Sequence, residues 1–413
     1  MLLVSLLRSF FTVGTLHIVG TNGKTHALRG SEPGPEVTMR FLKPGVERRL
    51  LWRPALALGE SYMDGEWAVD GGDIYLLLDL LNRNIFRAGY NPLSRLQRKL
   101  TTPLRLLPES NTLKRAQKNA VFTYDLDASF YRMILDRNMQ YTCGYFPTGK
   151  ETLDEAQEEK LLHLAAKLLL KPGLDVLEIG CGWGNLSTML AELENVKIHG
   201  VTLSKEQLGD AERCAREHRQ TGNVRFTLTD YRKLQGQYDR IVSVGMLEHV
   251  GARHYHEYFA QVSRLLKEDG VALIHFIGRM EEPGENNAWL SKYIFPGAYA
   301  PSLSEITPAL ERSRLFITDI ETWRQHYPPT LAGWRKRLFA NYDKIKDRYG
   351  EKFFRMFDFY LAGSEAAFRQ DTFFVYQLQL ARRMDAAPIA RDYIEPKKAE
   401  YRRLKAMTLK KAS

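Results

Sequence analysis

The hydrophobic pattern changes character once along the chain. From about Thr123, segments whose leucines recur every three or four residues alternate with short apolar runs, which predicts helices alternating with strands and a parallel sheet covered on both faces. Thr152 and Glu155 form a Thr-x-x-Glu capping box ahead of a helix carrying Leu161, Leu164 and Leu168, and Pro172 stops it. Asp175-Val-Leu-Glu-Ile179 reads as a short buried strand ending in Gly180. A helix over 186–194, a strand over 197–201, a helix over 205–220 and strands over 224–228, 238–244 and 271–276 follow, a sustained doubly wound pattern. Ahead of this, apolar alternation over 14–20 and 37–42, with a turn at Asn22-Gly23 and a helix over 74–81, predicts a small unit of mixed α and β structure. The predicted organisation is a small α+β domain over 1–82, a basic linker over 83–122 broken by Pro92, Pro103 and Pro108, a larger α/β domain over 123–390 and a basic tail over 391–413. There is no internal repeat.

Composition narrows the class. The 413 residues are 44% hydrophobic and 26% charged, a globular profile that excludes a disordered or collagenous chain. The three cysteines, Cys143, Cys181 and Cys214, include no Cys-x-x-Cys pair, so neither a disulfide framework nor a metal site is expected and the compartment reads as reducing. No apolar run approaches the ~20 residues a spanning helix needs. The opening run from Met1 to Leu7 is cut by Arg8 and followed by no Ala-x-Ala site, so the expected location is cytoplasmic. Charge is uneven: residues 83–118 carry a net +8 and residues 391–413 a net +5 within a chain of net +10. Such patches attract polyanions, either nucleic acid or the anionic face of a membrane; the plain alternative is a solvated linker and a frayed tail.

Candidate chemistry begins at Glu178-Ile-Gly-Cys-Gly-Trp-Gly184, between a strand and a helix, where missing side chains let backbone N–H groups approach a ligand. Gly180, Gly182 and Gly184 depart from Gly-x-Gly-x-x-Gly, and Glu178 precedes them by two. This spacing resembles the first motif of S-adenosylmethionine-dependent methyltransferases. The acid that usually takes the ribose hydroxyls ~20 residues after such a loop is absent. Thr202, Ser204 and Gln207 offer neutral hydrogen-bonding groups there instead, and Asp230 and Tyr231 offer an adenine acceptor and a stacking ring. Each of these alone equally suits a cap or a turn.

Taken in order, Tyr141-Thr-Cys-Gly-Tyr-Phe146, Glu178 to Gly184, Gly200 to Ser204, Met246-Leu-Glu-His-Val-Gly251, Ile274-His-Phe-Ile-Gly278 and Tyr293-Ile-Phe-Pro-Gly297 resemble the motif series of cyclopropane-fatty-acyl-phospholipid synthases, relatives of the mycolic acid cyclopropane synthases. The likeness covers about residues 120 to 385, with a looser match through Gly59-Glu-Ser-Tyr-Met-Asp-Gly-Glu-Trp67. It implies a class I methyltransferase Rossmann-like doubly wound sheet with a smaller N-terminal α+β domain. It also implies methylene transfer from S-adenosylmethionine to the cis double bond of an unsaturated phospholipid acyl chain, with bound bicarbonate as base. The resemblance places the bicarbonate ligands at Cys143, Glu248, His275 and Tyr327, and adds Tyr141 and Thr142 to the cofactor-binding residues.

The residue types suit that reaction. An alkene is a poor nucleophile, so the methyl group must be held in line with it, and ring closure needs a protected base beside a dry tunnel. Without the family, His275 in an apolar strand reads as a core histidine, Cys143 as a small buried hydrophobe and Glu248 as a helix cap. The 15 aromatics between residues 323 and 376, with Phe353, Phe354, Phe357, Tyr360 and Phe368 at helical spacing, suit an amphipathic core helix or an acyl-chain wall. The expected partners are unsaturated phospholipid and an anionic membrane surface, with no nucleic acid, a peripheral position on the inner face of the cell membrane, and a homodimer left open. A sister enzyme that stops at a methyl- or methylene-branched chain is the nearest alternative. A nucleic-acid methyltransferase would suit the basic patches but lacks a base-flipping Pro-Pro-Tyr motif, and a non-catalytic lipid-binding module leaves the glycine loop without a purpose.

Overall fold

The computed structural model describes residues 2–89, 116, 119, 128–284, 287–370 and 372–412. The chain divides into two compact units, one of Met1–Leu107, Gly284–Pro296 and Tyr327–Phe373, the other of Pro108–Pro283, Gly297–His326 and Phe374–Ser413. This division is not contiguous as the composition suggests: residues 284–296 and 327–373, expected with the larger domain, group with the N-terminal residues.

The first unit holds a four-stranded sheet of β1 (Val13–Val19), β2 (Thr25–Arg29), β3 (Glu32–Phe41) and β4 (Trp67–Val69) in the order β2-β1-β3-β4. Asn22-Gly23 turns β1 into the antiparallel β2, while β1 and β3 run parallel. The helix expected over 74–81 is present and continues to Gly89, so the expected start of the linker lies inside it. The basic residues Arg95, Arg98 and Lys99 and the leucines between 93 and 107 lie outside the described residues. The aromatic-rich segment forms the helix Glu351–Arg369, which buries Phe354, Phe357, Tyr360 and Phe368 and packs against the helices Pro54–Met63, Ile74–Gly89 and Tyr327–Ala340. Its Ala362 and Ala366 share one core with Leu16, Ile18 and Trp67, which is why this late segment joins the N-terminal strands. Within that packing the Tyr62 hydroxyl donates to Asp358 at 2.6 Å, and Arg335 bridges Asp358 and Asp73.

The second unit is built on seven strands: β5 (Asp175–Ile179), β6 (Lys197–Thr202), β7 (Val224–Leu228), β8 (Tyr238–Val244), β9 (Leu266–Gly278), β10 (Phe316–Trp323) and β11 (Phe374–Ala381). Their order is β10-β11-β9-β8-β5-β6-β7, with β5 to β9 parallel and β11 antiparallel to both its neighbours. All five strands read from the sequence are present. β10 and β11 were not read, because β10 interleaves Asp319 and Glu321 with its apolar residues and the central β11 buries Gln377 and Gln379. The helix Leu153–Lys167 starts at the expected capping box, with the Glu155 carboxylate accepting the Thr152 N–H at 2.8 Å. Beside its leucines it buries Gln157, Lys160, His163 and Lys167.

The basic tail is a docked helix, Ile394–Ala412, and not the frayed end that its charge alone suggests. Its cations meet acids of the same unit: Lys397 on Glu194, Lys398 and Arg402 on Glu159, Lys405 on Glu158. Tyr401 is fully buried in the core that contains Leu161 and Leu164. Tyr401→Ala should therefore cost about 3 kcal/mol, seen as faster amide exchange along Leu153–Lys167; unchanged protection would show that the docking contributes nothing.

Candidate active site

Where β5 ends, the order of the sheet reverses: β6 and β7 lie on one side of β5, and β8 and β9 on the other. A crevice at such a switch point is where open α/β sheets take ligands. The glycine loop lies there, with φ of +82° at Gly180, +52° at Gly182 and +84° at Gly184. The N–H groups of Gly180 and Cys181 both donate to the Val201 carbonyl at 3.0 Å and that of Gly184 to Cys181 at 2.9 Å. Among the described residues nothing accepts from Gly182 or Trp183. The glycines also differ in what surrounds them. A Cβ on Gly184 would lie 2.8 Å from both Ala211 and Phe226, whereas one on Gly182 would meet nothing within 4 Å. Gly184 lets the following helix close onto the sheet, and Gly182 leaves room for a ligand beside two uncommitted donors.

The other predicted cofactor residues surround this loop. Burial pushes the Glu178 carboxyl up to about 8 even though it accepts the Ser187 hydroxyl. Tyr131, not singled out from the sequence, packs its ring at a tilt 5.0 Å from Trp183 and 5.2 Å from Tyr141. Thr202 donates to the Gln207 side-chain oxygen at 2.8 Å, and Ser204 caps the helix Lys205–Glu217 by accepting the Gln207 N–H. This commits the Gln207 carboxamide oxygen to Thr202 and leaves its nitrogen outside that bond. Asp230 is bound by Arg232 through both carboxylate oxygens, and the Tyr231 ring lies edge-on to Tyr258 in the core. Both therefore also hold the structural roles that the sequence left open.

Of the four expected anion ligands, three converge at the ends of β8 and β9. The His275 carbonyl accepts the Gly245 N–H at 2.8 Å, and a Cβ on Gly245 would lie 2.9 Å from Thr142, the neighbour of the fully buried Cys143. Glu248 reaches back to accept the Ile277 N–H at 2.7 Å with one oxygen. Its other oxygen, Oε2, is buried with no partner among the described residues. Burial drives this carboxyl up to about 7, so it holds or releases a proton near neutrality. Burial and then the Lys160 charge push His275 well below the ordinary imidazole value, so its ring is neutral. Gln377 donates to His275 Nδ1 at 3.0 Å, which leaves the ring proton on Nε2. Tyr327 belongs to the other unit, where it opens the helix Tyr327–Ala340 and stacks on Phe368 at 4.2 Å.

Sequence reasoning missed the layer behind these groups. Lys160 donates to Gln140 and Thr142, each at 2.7 Å, and Gln157 donates to the Thr142 carbonyl at 2.8 Å, fixing the loop that carries Cys143. Glu321, despite burial that opposes its charge, is held well below the usual carboxylate range by His163 and Lys167. Trp323, which donates to Glu321, lies edge-on to His275 at 5.1 Å. The available signal was polar residues at 157, 160, 163 and 167 along a helix face that should have been apolar. Among the described residues, no group of three or more His, Cys, Asp or Glu could hold a metal ion, and no helix is long and apolar enough to cross a membrane.

The strand order and the glycine loop at its switch point define a class I S-adenosylmethionine-dependent methyltransferase. The solved structure of mycolic acid cyclopropane synthase CmaA1 complexed with SAH and CTAB superposes with a TM-score of 0.60 at 30% identity, covering 64% of this chain and 97% of that one. The chain belongs to the mycolic acid cyclopropane synthetase family, whose model matches residues 111–378. It is 38% identical over 360 residues to the cyclopropane-fatty-acyl-phospholipid synthase of Escherichia coli (strain K12), covering 86% of this chain and 90% of the relative. It is 33% identical over 394 residues to tuberculostearic acid methyltransferase UfaA1 of Mycobacterium tuberculosis, covering 91% and 90%.

Two outcomes follow from the geometry. Gly182→Val should abolish SAH binding in calorimetry while leaving a folded chain, whereas Gly184→Ala should destabilise the fold; unchanged affinity in the Gly182 variant would exclude the loop from the cofactor site. A carboxyl whose value rises on folding contributes stability that is complete below its unfolded value and is lost as pH climbs through the folded one. Glu248→Gln should thus gain on the wild type between pH 5 and pH 8, by on the order of 2 kcal/mol. Urea unfolding in carbonate-free buffer measures this, and an equal difference at both pH values would contradict the burial of a neutral carboxyl.

Proposed function

We propose that this enzyme transfers a methylene from S-adenosylmethionine to the cis double bond of an unsaturated phospholipid acyl chain, giving a cyclopropane fatty acid, with bicarbonate held by Cys143, Glu248 and His275. The observation that carries the reading is the unpartnered Glu248 Oε2 beside a neutral His275. In its protonated form the Glu248 carboxyl donates a hydrogen bond to an oxyanion, and His275 Nε2 donates a second, so two buried groups that carry no negative charge suit an anion there. When bound, S-adenosylmethionine supplies an electrophilic methyl group and bicarbonate a proton acceptor for ring closure. Gly182 and Trp183 orient the cofactor through backbone donors. The buried positions of Cys143, Glu248 and His275 exclude the water that would otherwise trap a carbocation on the acyl chain. Gln377 holds His275 in the tautomer that donates from Nε2.

Docking on an anionic membrane surface at the inner face of the cell membrane, through the +8 segment 83–118, belongs to the same proposal and rests on charge and on the lipid substrate. A second reading, transfer that ends in a methyl- or methylene-branched chain, is favoured by the similarity to a tuberculostearic acid methyltransferase over nine-tenths of the chain.

Incubation with labelled S-adenosylmethionine and vesicles of monounsaturated phospholipid separates the two. A mass gain with the alkene signals replaced by cyclopropane ring signals is expected; a mass gain with a new alkene, or with a methyl branch and no ring signal, would establish the second reading, and no transfer would overturn both. Glu248→Gln and His275→Ala should each lower turnover by ~10²-fold or more at unchanged SAH affinity. Near-wild-type turnover of both in carbonate-depleted buffer would place the proton acceptor elsewhere.

A further inference from the structure

Lys160 is fully buried, yet no carboxylate lies within ion-pair distance of it among the described residues. Its ammonium donates to two neutral oxygens, the Gln140 carboxamide and the Thr142 hydroxyl, and its third N–H has no acceptor among the described residues. Burial lowers its affinity for a proton to about 8, which still leaves it charged at neutral pH. A buried cation held only by neutral dipoles is costly unless a counter-anion joins it. The nearby acids do not serve well. Asp136 is occupied by the backbone N–H groups of Asn138 and Gln140, and burial favours the neutral form of Glu178. The Lys160 charge is nevertheless felt at His275 and at Glu178, on the two sides of the crevice.

We propose that Lys160 is a positioning residue: it pins the Gln140–Gly144 loop and its ammonium is the counter-charge for an oxyanion ligand at the crevice bounded by Cys143, Glu248 and His275. The oxyanion is either bicarbonate, which rests on the reading above, or the amino-acid carboxylate of the cofactor, which does not. Lys160→Gln keeps a donor for Gln140 and Thr142 without the charge, while Lys160→Met removes both.

The test uses the full chain and three probes: calorimetry with SAH, calorimetry with 5′-methylthioadenosine, which lacks the amino-acid part, and NMR line broadening of ¹³C-bicarbonate. Both variants should bind 5′-methylthioadenosine as the wild type does. If the cofactor carboxylate is the partner, both should weaken SAH at least tenfold; if bicarbonate is, both should abolish the broadening at unchanged SAH affinity. Recovery of wild-type oxyanion binding in Lys160→Gln would reduce the residue to a loop fastener and overturn the proposal. So would retention of both oxyanions in both variants, parallel loss of 5′-methylthioadenosine, or loss of the folded circular-dichroism signal in both. A wild-type chain that never broadens ¹³C-bicarbonate would defeat the bicarbonate reading of Glu248 and His275, and the SAH titration would then decide the role of Lys160 alone.

Discussion

Everything at the active site depends on β5 having parallel neighbours on both sides. Glu178 pairs with Gly200 of β6 and with Val242 of β8, so the chain leaving β5 must turn sharply while the next connections diverge to opposite halves of the sheet. Backbone donors at the turn cannot be satisfied by the sheet, and only two of them find the Val201 carbonyl. The remaining donors at Gly182 and Trp183 have no acceptor among the described residues. Binding capacity here is a residue of topology, and the glycines remove the side chains that would fill it.

The second constraint is electrostatic. The crevice is walled by groups that burial has moved toward neutrality: Glu178, Glu248 and His275. One strongly ionised acid nearby, Glu321, is matched by Lys167 and His163 and tied to Trp323. The balance leaves Lys160 as a positive charge without a carboxylate in contact among the described residues. On the proposed reading, a low-dielectric site walled by neutral groups with one cation behind them suits an anion, and a dry site suits carbocation chemistry on an alkene.

The periodic parts of this fold are legible in the sequence, and the reason is local. β5, β6, β8 and the second half of β9 are short runs whose burial is nearly continuous, and the capping box at Thr152 closes on itself within four residues. β11 was illegible because its Gln377 and Gln379 are polar residues that earn burial only through partners distant in the chain, His275, Lys167 and Tyr393. Lys160 was hidden for the same reason: a lysine on an otherwise leucine-lined helix reads as an edge of the solvent face until Gln140 and Thr142 are brought to it. The division into units was hidden too, since the apolar face of Glu351–Arg369 carries no sign in sequence of which core it will complete. The residues Cys143, Glu248 and His275 were accessible through motif order, which records convergence that local pattern does not.

Counting charges puts the segment 83–118, at +8, ahead of the tail, at +5, and the structure shows what the cations of the tail meet. In the helix Ile394–Ala412, Lys397, Lys398, Arg402 and Lys405 each lie against a glutamate, and Lys398 also covers the Tyr145 ring at 4.8 Å. Oppositely charged groups a few ångströms apart cancel at distances beyond the Debye length of about 8 Å at physiological salt, so these four cations project little field beyond the helix. Residues 83–118 contain only one acid, Glu109, among nine cations, and most of them lie outside the described residues. The cations of the C-terminal helix therefore act over short range, fastening it to the helix that carries Lys160.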